Sequence, residues 1–162
     1  MAGDILSWND LSGRPIILAG QGRLAGTIED FYFEPGTASI NALRVRTRLH
    51  GFRILLPSAI QSLNREGVTI ANEHMLIDEA NAGPIYQLPT GNRLPSFTVV
   101  TESGSVLGTV RDILLGIYPP VALRISAFEL ADRRGTRIST HEVTGFSDNG
   151  LTVMNQVGSK VL

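Results

Sequence analysis

Gly22-Arg23-Leu24-Ala25-Gly26-Thr27-Ile28-Glu29-Asp30 returns, about eighty residues on, as Gly104-Ser105-Val106-Leu107-Gly108-Thr109-Val110-Arg111-Asp112. Two more blocks follow in the same order. Ala42-Leu43-Arg44-Val45 is echoed by Ala122-Leu123-Arg124-Ile125, and the stretch from Ile60 to Ile70 by that from Val143 to Val153. Three ordered blocks at offsets of 82, 80 and 83 residues imply a duplicated unit with small length changes between blocks. On this reading Leu43 corresponds to Leu123 and Val45 to Ile125, inside the two cores. The units span 1–78 and 95–162, with 79–94 as a linker containing Gly83-Pro84 and Pro89.

Apolar segments of five to eight residues alternate with Gly, Pro, Asn and Asp, which predicts many short strands and little helix. Strands are expected near 15–19, 24–33, 40–49, 52–57 and 68–71, and again near 96–101, 106–115, 121–130, 136–139 and 151–155. Short helical pieces are expected at Pro57–Leu63 and Ser139–Val143. Five strands per unit without a helical crossover favour a small antiparallel barrel, because closure removes unpaired edges. The fold class is all-β: two tandem small barrels. Gly26 and Gly108 interrupt apolar strand patterns, as glycine does at a bulge or sharp bend. Phe31-Tyr32-Phe33 and Ile113-Leu114-Leu115 are apolar on both strand faces, so the Asp30–Phe33 and Asp112–Leu115 strands are expected to pack the units together.

Charge is balanced, with 14 basic and 15 acidic residues in 162, so no bulk attraction to nucleic acid is expected, and no DNA partner. Cysteine is absent, which excludes disulfides, thiolate metal sites and cysteine nucleophiles. His50, His74 and His141 lack metal-ligand spacing. No nucleophile elbow, phosphate loop or dinucleotide fingerprint occurs. Asp30 and Asp112 recur without a histidine or second carboxylate beside them, which suits carboxylates accepting backbone hydrogen bonds at a bulge. The expectation is a protein that is not an enzyme and has no cofactor or metal. No secretory signal or apolar run long enough to span a bilayer is read, so a cytoplasmic location is expected.

The clearest surface signal is Arg44, Arg46 and Arg48, with Arg53 on the return strand. Alternation puts the first three on one face, where they repel unless acids or an anionic partner answer them. Tyr118 in the Tyr118-Pro119-Pro120 turn, and Arg133 and Arg134 in another turn, lie where the repeat is least faithful. These seven residues are the candidate partner-binding set.

The first unit resembles the PRC-barrel family. The resemblance rests on Asp10-Leu11-Ser12-Gly13-Arg14-Pro15-Ile16, on Gly22 to Asp30, on the strand from Ile40 to Val45, and on Pro57 to Ile60. The second unit follows from Gly104 onward, with Pro95-Ser96-Phe97 standing where Gly13-Arg14-Pro15 would be. That family includes the cytoplasmic domain of the photosynthetic reaction-centre H subunit and the C-terminal domain of a ribosome maturation factor. The resemblance implies a docking module. The expected partner is a protein, a membrane-bound photosynthetic or transport complex included, which would hold the chain peripherally at the inner membrane. RNA or the ribosome is the alternative partner, and a homodimer stays open.

Overall fold

A computed structural model describes residues 4–161. Strand β1 (Ile5–Ser7) and the single-turn helix α1 (Trp8–Leu11) lead into β2 (Pro15–Leu18), β3 (Leu24–Glu34), β4 (Ser39–Arg46) and β5 (Phe52–Leu55). Then come β6 (Ile60–Asn64), β7 (Gly67–Ile70) and β8 (Leu76–Asp78). Short 3-10 turns cross to β9 (Thr98–Thr101), β10 (Val106–Gly116), β11 (Arg124–Leu130), β12 (Arg137–Ser139), β13 (Val143–Phe146) and β14 (Gly150–Val153), before α2 (Gly158–Val161). The molecule is mostly β and its sheet is curled. Pro57–Leu63 is not the expected helical piece. Only Pro57–Ala59 turns, and Ile60–Asn64 is a strand. A bulge between Ile60 and Ser62 lets Ile60 and Leu63, at helix-like spacing, both reach the core.

Strands β2 to β7 pair antiparallel in sequence, except that β5 and β6 are unpaired with each other and β7 returns parallel to β2. Strands β9 to β14 pair in the same pattern, with β14 returning parallel to β9. The irregularities coincide too. Bulges beside Gly26, before Asp30, after Tyr32 and after Ile60 have counterparts beside Gly108, before Asp112, after Leu114 and after Val143. Gly26 is required by close approach: a Cβ there would lie 2.7 Å from the Arg46 carbonyl oxygen. Gly108 is required by its φ of +143°.

The register corrects one expected correspondence. Phe31 pairs with Leu43 and Asp30 with Arg44, whereas Ile113 pairs with Phe128 and Asp112 with Glu129. Leu43 therefore answers to Phe128 and Val45 to Leu130, not to Leu123 and Ile125. The longer Tyr118–Ala122 turn displaces β11 along β10, so the second Ala-Leu-Arg motif is a local likeness only. Leu123 and Ile125 are still buried, at the join between the halves. There Ile40 N–H donates to the Leu123 carbonyl at 3.0 Å, Ile125 N–H donates to the Ala38 carbonyl at 2.8 Å, and Ser39 bridges Arg124.

One core runs through both halves. Its aromatic rings form a chain from Trp8 to Phe31 to Phe33 to Phe146 to Phe128, with centroids 4.9, 6.0, 5.9 and 6.2 Å apart. Burying a phenylalanine side chain contributes about 1.5–3 kcal/mol, so this chain is a principal tie across the join. The outer face of β3 is covered differently from expectation. Tyr32, Ala42 and Ile54 lie under Ile77 of β8 and under Ile85 and Leu88 of the connecting segment rather than under the second half.

The lead-in segments are exchanged between the halves. β1 pairs with β10, and Ile117 N–H donates to the Asp4 carbonyl. In return Thr90 bridges Tyr32, and Phe33 N–H donates to the Pro89 carbonyl at 3.1 Å. Each segment then makes one short turn, α1 or Gly91–Arg93, and buries a leucine, Leu11 or Leu94. Gly13 and Ser96 end these turns at φ +83° and +79°. Both N–H groups bond across the strand, to Ile28 and Val110. Ser96 thus occupies the place of Gly13, so Pro95 answers to Ser12 rather than to Gly13. The Asp112–Leu115 strand thus receives β1 of the first half and the Asp30–Phe33 strand receives Pro89 and Thr90 of the connecting segment; the two strands do not pair with each other as expected.

Candidate functional site

Thr47 ends the arginine ladder. Its hydroxyl donates to the Gly51 carbonyl at 2.6 Å and accepts from His50 N–H at 3.0 Å, folding residues 47–51 into a tight tip beyond β4. Arg44 and Arg46 stay on the strand's outer face, with guanidinium carbons 3.8 and 4.8 Å from the ring centroid of Phe52. Each has an acid: Glu79 lies 3.2 Å from Arg44 Nε, and Glu29 lies 3.0 Å from Arg46 Nη2. The hydrogen bond from Arg46 also holds the Glu29 carboxyl below its usual range. These two arginines are satisfied where they stand.

Arg48 and Arg53 are placed differently. They line an open groove of about 690 Å³ formed where the β4–β5 tip meets the start of β3 and the 3-10 turn Glu73–Met75. Arg23, His50 and His74 share it, and among the described residues neither Arg48 nor Arg53 makes an ion pair. Arg23 is held by Glu73 at 3.3 Å. Three guanidinium groups thus face one carboxylate. The groove's apolar walls include Leu24 and Leu49, 54% and 86% exposed. The arrangement can bind an anionic group flanked by apolar surface. Arg23, Leu24 and His74 were not candidates on sequence grounds, because they come from separate turns that only the folded chain brings to Arg48.

Tyr118, 68% exposed, and Arg133 and Arg134, both exposed, contribute nothing to this groove. Arg133 and Arg134 occupy the β11–β12 tip, the counterpart of Arg48-Leu49. Asp132 organises that tip by accepting from Thr136 N–H at 2.9 Å and from the Thr136 hydroxyl, which lowers its carboxyl pKa.

Asp30 and Asp112 are buried clamps. Asp30 Oδ1 accepts from Phe31 N–H at 2.8 Å and from Asn92 N–H at 2.9 Å. Asp112 Oδ1 accepts from Ile113 N–H at 2.7 Å and from Asn9 N–H at 3.3 Å. Burial raises both carboxyl pKa values, and the donated N–H groups oppose the rise. Each carboxylate is occupied by backbone donors of its own bulge and of the other half's lead-in turn. Among the described residues, no three His, Asp or Glu side chains converge to hold a metal ion.

Residues 3–81 match the family model of the PRC-barrel domain. The match covers β1 to β8, and with them the groove and Asp30. No curated protein matches the chain.

Proposed function

We propose that the protein is a non-catalytic adaptor built of two tandem PRC-barrel-like units, and that its basic groove holds an acidic segment of a protein partner. The observation that carries this reading is the contrast within one hairpin. Arg44 and Arg46 are each answered by a glutamate, while Arg48 and Arg53 are unanswered beside the exposed Leu24 and Leu49. Arginine at the rim of an apolar patch is a common composition of protein interfaces. The matching strand pattern and bulges support the second unit, which the family match does not cover. On this reading the units meet near residues 78 and 95, with the lead-in segments exchanged.

RNA would also be drawn to these guanidinium groups through its phosphates. Single strands, however, are usually held by bases stacked on large aromatic rings, and the groove has no Phe, Tyr or Trp, its apolar lining being Leu24, Ala25, Leu49 and Leu76. A protein carboxylate fits better. We place the adaptor in the cytoplasm, reaching the inner membrane only through its partner; among the described residues no helix is long and apolar enough to cross a membrane. The test is binding by the Arg48→Glu/Arg53→Glu double variant. Loss of partner binding with the fold retained supports the groove. A steep fall of binding with salt, together with RNA in the bound fraction, supports the ribosomal alternative.

A further inference from the structure

Charges have changed places across the join. Asp10, on α1, and Arg65, in the β6–β7 turn, form an ion pair at 3.5 Å. The same two places in the other half hold Arg93, in the turn Gly91–Arg93, and Asp148, in the β13–β14 turn. Among the described residues these two side chains make neither an ion pair nor a hydrogen bond. They stand instead at a cavity of about 480 Å³ between the connecting segment and the second half, which Phe33, Phe97, Phe146 and Tyr86 also line. The buried Phe33 packs against Phe146 at its base, with ring centroids 5.9 Å apart and ring planes tilted by 52°.

We propose that this cavity binds a free aromatic amino acid. Its volume falls within the range of about 300–1,000 Å³ typical of small-molecule sites. The accessible rings of Phe97, Phe146 and Tyr86 favour an aromatic group over an aliphatic one, because rings pack edge to face in such surroundings. The rim offers one unpaired cation and one unpaired anion, so a ligand carrying both charges close together satisfies both. Arg93 takes the carboxylate through its forked donors, and Asp148 takes the ammonium. Both side chains are exposed and hydrated, so a neutral aromatic gains nothing from either, whereas a zwitterion pairs with both. The site is separate from the basic groove and does not depend on the adaptor reading.

Trp8 is the only tryptophan, and its Nε1–H donates at 2.8 Å to Asn92 Oδ1, next to Arg93. Its emission, excited where phenylalanine is silent, therefore serves as the probe. Titration of the full chain with L-phenylalanine should change this emission saturably and raise the melting temperature. Phenylacetate, phenethylamine and glycine, each lacking one element, should bind at least about tenfold more weakly. Arg93→Ala and Asp148→Ala should each weaken L-phenylalanine by a similar factor, whereas Arg48→Glu/Arg53→Glu should leave it unchanged. Absence of saturable binding for L-phenylalanine, L-tyrosine and L-tryptophan alike overturns the proposal, with melting temperature the readout for the last two. So does phenylacetate or phenethylamine binding as tightly as the amino acid, or affinity unaltered in both single variants.

Discussion

Asp30 and Asn92, 62 residues apart, are joined at 2.9 Å by the Asn92 backbone N–H, and the Asn92 side chain serves the same junction. Its Oδ1 accepts from Trp8 Nε1–H at 2.8 Å, and its Nδ2 donates to the Glu29 carbonyl at 2.9 Å. The mirror contact, Asn9 N–H to Asp112, is longer at 3.3 Å. The two halves are therefore locked by residues that recur in both, each acting on the other's lead-in turn.

Removing the Asp30 acceptor should be costly. Asp30→Ala leaves the N–H groups of Phe31 and Asn92 without this acceptor, and an unsatisfied buried donor costs about 1–3 kcal/mol. Asp30→Asn keeps an acceptor oxygen and should cost clearly less. Urea unfolding of the two variants measures the difference. Equal losses would mean that charge, not the acceptor, holds the clamp.

The same carboxyl sets a pH dependence. Burial raises the Asp30 pKa above its ordinary 3.8, so the folded state keeps this proton more firmly than the unfolded chain. The resulting stability is fully present below 3.8, falls as pH rises through the raised folded value, and is level beyond it. Asp30→Asn abolishes that step. The stability of Asp30→Asn relative to wild type should therefore improve as pH rises from 3.8 through this window. Glu29, lowered by Arg46, works in the opposite sense, so the comparison between variants rather than the wild-type curve is informative. A difference flat across a series of urea titrations would contradict the assignment.

Gly91 stands where the first lead-in has Trp8, and only a small residue fits. A Cβ there would lie 2.0 Å from a ring carbon of the fully buried Phe31. Gly91→Ala should cost about 1–3 kcal/mol through overpacking. Thermal unfolding checks this, and an unchanged midpoint would show that the Phe31 ring can move aside.

Exchange of lead-ins predicts the behaviour of an isolated first half. Residues 1–81 lack the segment that covers Tyr32 and Phe33, and retain a β1–α1 segment whose β10 is missing. This fragment should associate as a dimer, each copy laying Ile5–Leu11 on the other's β3 and giving its Asn9 N–H to the other's Asp30. Light scattering would report the mass. A folded monomer would contradict the exchange.

Local backbone demands were legible in the sequence. Gly26, Gly108, Asp30 and Asp112 recur because bulges fix the residue types that suit them, and the strands they flank lie close to where alternation put them. The β11 register was not legible, since Ala122-Leu123-Arg124-Ile125 imitates Ala42-Leu43-Arg44-Val45 while a longer turn moves the pairing to Phe128. Nor was the lead-in exchange, because nothing local in Trp8–Leu11 says which half will receive it. Of the arginines, Glu29 on the neighbouring strand made the pairing of Arg46 foreseeable. Glu79 reaches Arg44 from the connecting segment, and Arg23 reaches the groove from another hairpin, both through long-range folding alone.

The groove is the centre of the functional account, and a peptide titration tests it most directly. The probe is a labelled peptide of glutamates interspersed with leucines, with an oligouridylate of equal length as comparison. Wild-type protein should bind the peptide saturably, shifting the backbone resonances of Leu24, Leu49 and His74. Arg48→Glu/Arg53→Glu should abolish this while changing stability by less than about 0.5 kcal/mol, and Arg44→Glu/Arg46→Glu should weaken it far less. Peptide binding that survives Arg48→Glu/Arg53→Glu, or tighter binding of the oligouridylate at the same salt, would contradict the account.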